Sequence, residues 1–226
     1  MAVKALLGSA DFFNSSVQGQ VNGTQAKRSP GSALKPFIYA LALQQGIIHP
    51  LTVLKDAPRS FGNYNPENFD KDFVGPIKAK NALITSRNIP AIYLLNELHQ
   101  PTFYQFLQSA YITQLKSEDQ YGLSLALGGA EVTMRELVSL YAMLNNKGFY
   151  KPLRLTQEDP KITGKRLLSA QAAFLVLDIL KDNPNPQQQF GAAKQRDLPI
   201  YWKTGTSSRY RDAWAVGIFG PYTLAV

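Results

Sequence analysis

Ser32 and Lys35 stand three residues apart, directly after Pro30 and Gly31, at the opening of the apolar run ALKPFIYALALQQG. A serine hydroxyl is a weak nucleophile until a base takes its proton. A lysine one helical turn away can be that base where burial or a second cation lowers its pKa. Taken alone the pair is better explained by a helix-capping serine and a surface lysine, because Ser-x-x-Lys arises roughly once by chance in a chain of this length.

Two further constellations give the pair a context. Ser86 and Asn88 form a Ser-x-Asn, and Lys203, Thr204 and Gly205 form a Lys-Thr-Gly within YWKTGTS. Lys203 supplies the second cation, and Ser86 suits a proton relay between Lys35 and a leaving amine. Asn88 can hydrogen-bond both a lysine and a substrate amide. On a strand, Gly205 lets a substrate backbone lie close, and Lys203 with the hydroxyls of Thr204 and Thr206 offers a seat for a terminal carboxylate. The backbone N–H groups of Ser32 and Thr206 are the expected oxyanion hole. The ordinary alternatives are that Ser86 and Asn88 are plain junction residues and that KTGTS is only a strand. The second is the weaker, since a strand glycine usually marks close backbone approach or a bulge.

The elements that must position these residues can be read from periodicity. Residues 3–23 alternate short apolar runs with Gly, Asn and Ser and predict two strands. Ala33, Leu34, Phe37, Ile38, Leu41 and Ala42 recur at helical spacing with Gly46 as a stop, which places Ser32 at a helix N-terminus and Lys35 one turn in. A long ordered loop is expected over residues 51–75, then short helices over 77–85 and 90–98, with Ser86, Arg87 and Asn88 on the junction because Pro90 disfavours helix at Ile89. Gly128 and Gly129 read as a turn, Thr133 to Glu136 as a capping box before an apolar stripe that ends at Gly148, and Ser169 as the cap of a helix through Leu180. The polar break NPNPQQQ follows. Residues 201–207, 212–220 and 221–226 predict three consecutive antiparallel strands. The resulting expectation is an α/β (α+β) domain over residues 1–226, with an antiparallel sheet built from both termini around a helical insert.

Composition narrows the function classes. The chain has 226 residues, 45% of them hydrophobic, and no cysteine, so disulfides, thiolate metal sites and a cysteine nucleophile are excluded. His49 and His99 show no metal spacing and there is no Gly-x-Ser-x-Gly elbow, so neither a metal, a cofactor nor a Ser-His-Asp triad is expected. The formal charge of +8 favours anionic surroundings, but the basic residues are scattered, and no nucleic-acid partner is expected. No apolar run reaches membrane-spanning length.

The three motifs, in this order, match the set shared by penicillin-binding proteins and class A β-lactamases. The flanks RSPGSALKPFIYALALQQGIIHP, FGNYNPENFDKDFVGPIKAKNALITSRNIPAIYLLNEL and YWKTGTSSRYRDAWAVGIFG extend the match, and nearly the whole chain resembles the transpeptidase domain of class A penicillin-binding proteins. The resemblance implies the transpeptidase and serine β-lactamase-like fold. It also implies cross-linking of peptidoglycan stem peptides through an acyl-enzyme on Ser32, acylation of the same serine by β-lactam antibiotics, and the periplasmic face of the inner membrane as location. Cell-wall synthesis proteins are the further partners it implies. Against the family pattern, the membrane anchor and glycosyltransferase domain are not in this sequence, and the chain is expected to stop within its last strand. Arg87 stands in the middle of Ser-x-Asn where the pattern has aspartate, and its side chain is expected to point outward and matter little. Two alternatives stay open: a carboxypeptidase or β-lactamase-like hydrolase on the same fold, and a module that binds peptidoglycan or protein without turnover.

Overall fold

The apolar run after Ser32 is buried on every side. In the computed structural model, which describes residues 1–226 apart from 63 and 185–197, residues 31–34 form a 3-10 turn and Lys35–Gln44 continue it as helix α1. Every residue from Lys35 to Ala42 is buried, as expected of a helix that is apolar all round and therefore belongs at the centre of the domain. Three helices meet around it or beside it: α3 (Asn88–Glu97) and α7 (Ala170–Lys181) pack on α1, and α6 (Met134–Asn145) packs on α7. The remaining short helices are α2 (Ala79–Ile84), α4 (Phe103–Ser109) and α5 (Glu118–Tyr121).

Several of the boundaries follow the sequence signals. Thr133 and Glu136 form a reciprocal capping box at α6, and Ser169 accepts from the N–H of Ala172 at the start of α7. Gly46 and Gly148 adopt φ of +71° and +79° just beyond the ends of α1 and α6, where a residue with a Cβ would be strained. The NPNPQQQ break lies outside the described residues from position 185 on.

The C-terminal strands form as expected. β5 (Ile200–Thr206), β6 (Ala213–Phe219) and β7 (Tyr222–Ala225) make an antiparallel sheet in the order β5-β6-β7, with Lys203 opposite Val216 and Gly205 opposite Trp214. Trp214, Val216 and Ile218 alternate inward, so one face of this sheet closes the core.

The expectation of a sheet from both termini is corrected. Among the described residues the N-terminal segment contributes no strand, and Ala2 makes only an isolated bridge to Arg154. Asn14 and Asn22 explain the difference: their side chains accept from the N–H groups of Ser16 and Thr24 and turn the chain into 3-10 turns at 15–17 and 23–25. A second correction concerns residues 51–85. β1 (Val53–Asp56) pairs with β2 (Gly75–Lys78), so Ile77 and Lys78 are strand residues and the loop proper runs over 57–74. A last two-stranded ladder joins β3 (Phe149–Tyr150) to β4 (Lys165–Arg166).

Candidate active site

The Ser32 turn is held between two backbone segments that can approach only because three glycines lack side chains. A Cβ on Gly31 would lie 2.4 Å from the carbonyl oxygen of Thr206 and 2.8 Å from its nitrogen. A Cβ on Gly205 would lie 2.1 Å from the carbonyl oxygen of Pro30, and one on Gly128 would lie 2.4 Å from the nitrogen of Gly31. The Gly128 turn, expected from the sequence only as a turn, thus forms one wall of the segment that carries Ser32. From the third side, the hydroxyl of Tyr141 on α6 donates to the carbonyl of Ala33 over 2.7 Å, and the indole N–H of Trp214 donates to the carbonyl of Ser29 over 3.0 Å.

The 3-10 geometry matters for the spacing. Side chains at i and i+3 eclipse in a 3-10 turn, so Ser32 and Lys35 project from the same side. Ser32 is half-buried, whereas Lys35 is fully buried as the first residue of α1. Its Nζ donates to the carbonyl of Ser86 and to Oδ1 of Asn88, each over 2.6 Å, and lies 3.5 Å from the Ser86 hydroxyl. Burial first, then the cations of Lys203 and Arg87, hold the Lys35 amine well below the ordinary lysine range, against the opposing pull of Asp56.

Lys203 arrives from β5, where it is 2% exposed. Its Nζ donates to the Ser86 hydroxyl over 2.8 Å and to the carbonyl of Thr204 over 3.0 Å, and burial lowers its pKa to about 8. Gly205 is buried beside the Ser32 turn, while Thr204 is exposed and Thr206 half-buried, the alternate positions of the same strand. Ser86 therefore sits between two lysines. It adopts φ of +60°, a conformation costly for a residue with a Cβ, and this turns both its carbonyl and its hydroxyl toward the lysines. Asn88 opens α3 instead of preceding it, and its amide also donates to the carbonyl of Glu67 over 2.8 Å. The structure thus brings Ser32, Lys35, Ser86, Asn88, Lys203 and Gly205 to one place from the 3-10 turn and the start of α1, the α2–α3 junction with the first residue of α3, and β5.

Arg87 departs from expectation. Its side chain is 7% exposed and points inward, its Nε 2.7 Å from Oδ2 of Asp56 and its Nη1 2.6 Å from Oδ2 of Asp70, while Nη2 donates to the carbonyl of Asp72. The reason is the acidic cluster that faces it: Asp56 at the end of β1 is fully buried and a carboxylate there requires a cation. Removing Arg87 would strand the buried Asp56 charge at a cost of about 3–5 kcal/mol. Asn68 completes the cluster, donating to Asp56 over 2.7 Å and accepting from the backbone N–H of Asn88 over 2.8 Å. Asp56, Asn68 and Tyr141 were missed from sequence. The available signal for the first two was an acidic, amide-rich loop in a chain of net charge +8.

A family profile described as the penicillin-binding protein transpeptidase domain matches residues 5–220. Penicillin-binding protein 1C of Escherichia coli is 38% identical over 227 residues, covering 100% of this chain and 29% of that protein. Penicillin-binding protein 1A of Neisseria flavescens is 30% identical over 97% of this chain and 29% of its own length. The chain thus spans about three-tenths of these relatives. Among solved structures, penicillin-binding protein 1A from Haemophilus influenzae superposes with a TM-score of 0.74 at 25% identity, covering 92% of this chain and 39% of that one.

Proposed function

The chain belongs to the penicillin-binding protein transpeptidase family, and from that premise we propose that it is an acyl-serine DD-transpeptidase that cross-links peptidoglycan stem peptides and is acylated by penicillin. The observation that carries the reading is the pair of buried lysines converging on Ser86. A neutral Lys35 has two N–H groups, and the carbonyl of Ser86 and Oδ1 of Asn88 accept both. Its lone pair is then left for the proton of Ser32.

In this reading Ser32 Oγ attacks the penultimate D-alanine carbonyl of a donor stem as its proton passes to Lys35 Nζ. The backbone N–H groups of Ser32 and Thr206 receive the developing oxyanion. The C–N bond then breaks, and the D-alanine amine leaves with a proton relayed from Lys35 through Ser86. The Ser86 hydroxyl already accepts from Lys203, so its own hydrogen is free to be directed along that path. An amine of a second stem then attacks the acyl-enzyme carbonyl, its proton passes through Ser86 to Lys35, and the ester C–O bond breaks as Lys35 returns that proton to Ser32 Oγ. Lys203, with one N–H to spare beyond Ser86 and Thr204, attracts the donor's terminal carboxylate together with the hydroxyls of Thr204 and Thr206. The stem peptides and β-lactams are the proposed ligands, and the periplasmic face of the inner membrane is the proposed location.

The test is intact mass after incubation with benzylpenicillin, beside a Ser32→Ala chain. A single long-lived adduct on the parent and none on the variant is the expected result. Rapid loss of the adduct would replace the transpeptidase with a hydrolase, and a folded parent that takes no adduct would replace it with a binding module.

A further inference from the structure

Arg87 belongs to no step of the proposed mechanism, yet it is among the most heavily bonded side chains near the site. Its guanidinium spans three acceptors from the segment that covers the α2–α3 junction: Asp56 at the end of β1, and Asp70 and the Asp72 carbonyl in the loop over 57–74. The same segment holds the neighbouring residue. Asn68 accepts from the Asn88 N–H, the Glu67 carbonyl accepts from the Asn88 amide, and Asn68 itself is fixed by donation to Asp56 and to the Asp72 carbonyl. The two clips share partners: Asp56 and Asp72 each serve both Arg87 and Asn68. A displacement of the guanidinium is therefore transmitted to Asn68, then to Asn88, whose Oδ1 takes one of the two hydrogen bonds that aim the Lys35 amine.

We propose that Arg87 is a positioning residue for Lys35: its fork fastens the 57–74 loop to the α2–α3 junction, and through Asn68 and Asn88 this fixes the direction of the Lys35 amine toward Ser32. The inference rests on the acyl-serine reading above. A planar fork with several fixed donors is required, because a lysine ammonium on a flexible stem cannot hold two carboxylates and a carbonyl in one geometry. Ser86, in its left-handed conformation, precedes Arg87 directly, so the same clip also bears on the junction from which its carbonyl and hydroxyl meet Lys35 and Lys203.

The experiment uses the full chain and its variants Arg87→Lys, Arg87→Gln and Asp70→Asn, with benzylpenicillin as probe. Intact mass against time and concentration separates the acylation rate at saturation from the half-saturating concentration, and thermal unfolding reports the fold. Both Arg87 variants are expected to lose roughly 10–100-fold in the saturated rate, the scale of a misplacement near 1 Å. The half-saturating concentration should change by under about threefold, because binding contacts are untouched. The conservative Arg87→Lys should fail to rescue, since charge alone does not rebuild the fork. Asp70 is half-exposed, so Asp70→Asn leaves the core intact and is expected to slow acylation several-fold. A folded Arg87→Lys chain that acylates within about twofold of the parent would overturn the proposal. If the Arg87 variants do not fold, an Asp70→Asn chain with the parent rate overturns it. A parent that takes no adduct removes the acyl-serine reading, and this inference with it.

Discussion

Replacing Gly205 by alanine tests whether the close approach of β5 to the Ser32 turn is what the glycine is for. The new Cβ would sit 2.1 Å from the carbonyl oxygen of Pro30, 2.9 Å from the nitrogen of Ala33 and 3.0 Å from its Cβ. A carbon and a carbonyl oxygen rest at about 3.3–3.6 Å, so strand and turn must separate by roughly 1 Å. The two nearest obstructing atoms are backbone, in a turn held in place by Tyr141 and Trp214, and cannot swing aside as a side-chain end would. Overpacking of this kind costs about 1–3 kcal/mol. For a chain of this size that corresponds to a Tm lower by roughly 2–12 °C. The effect on chemistry should be larger, since roughly 1 Å of misplacement between nucleophile, base and oxyanion donors can cost about 100-fold. The control is Gly217→Ala on β6 of the same sheet, where the nearest atoms to a new Cβ are at an ordinary 3.8 Å. Penicillin acylation followed by intact mass, with thermal unfolding on the same samples, gives both readouts. A Gly205→Ala chain that acylates within a few-fold of the parent refutes the reasoning. So does a Gly217→Ala chain that is equally impaired, because the loss would then be generic to glycine in this sheet.

The pH profile follows from the two lysines. Acylation should rise with pH as Lys35 loses its proton well below the range of a free lysine, and the half-saturating concentration should rise as pH passes about 8, where Lys203 becomes neutral. A rate that climbs only near 10.5 would exclude Lys35 as the base. Folding carries the same sign: the unfolded chain binds more protons at Lys203 between about 8 and 10.5, so stability increases with pH across that window, and Lys203→Met should flatten the increase in Tm. Tyr141→Phe removes the donor to the Ala33 carbonyl and leaves a buried acceptor unmet, a loss of about 1–3 kcal/mol. Thermal unfolding should show a Tm lower by roughly 2–12 °C with the 3-10 turn loosened and acylation slowed; an unchanged Tm would mean that water replaces the phenol.

Signals that are local survived the passage from sequence to structure. The capping box at Thr133, the cap at Ser169, the stop glycines and the three C-terminal strands are set by residues within a few positions of one another, and each stands where its pattern predicts. The N-terminal strands did not, because Asn14 and Asn22 offered the backbone a nearby side-chain acceptor that the apolar alternation could not reveal. The β1–β2 ladder was hidden for the opposite reason: its four-residue strands carry lysine, proline and glycine and show no clear alternation, so pairing across the 57–74 loop had no periodic trace. In the candidate site, Ser32, Lys35, Ser86, Asn88 and Lys203 can be singled out from the sequence because their types and spacing are chemical, whatever encloses them.

Arg87 shows where that kind of reading stops. A cation at a helix junction is most often solvated, and nothing within four residues of Arg87 offers it a carboxylate. Its partners are 17 and 31 positions away, on a loop and a strand whose pairing the sequence did not disclose. The energetics nevertheless decide the orientation once those elements meet. Asp56 is fully buried and needs a counter-charge, and the desolvation of the Arg87 guanidinium is offset by the Asp56 and Asp70 carboxylates and the Asp72 carbonyl. Lys35 and Lys203 are nearby cations whose burial favours loss of the proton, and in the proposed mechanism Lys35 must give it up, so neither suits the permanent partner of Asp56. Arg87, which stays charged throughout the working range, can. On this argument the arginine in Ser-Arg-Asn keeps a buried carboxylate paired while leaving both lysines free to titrate, and the loop that it fastens becomes part of the catalytic apparatus without touching substrate.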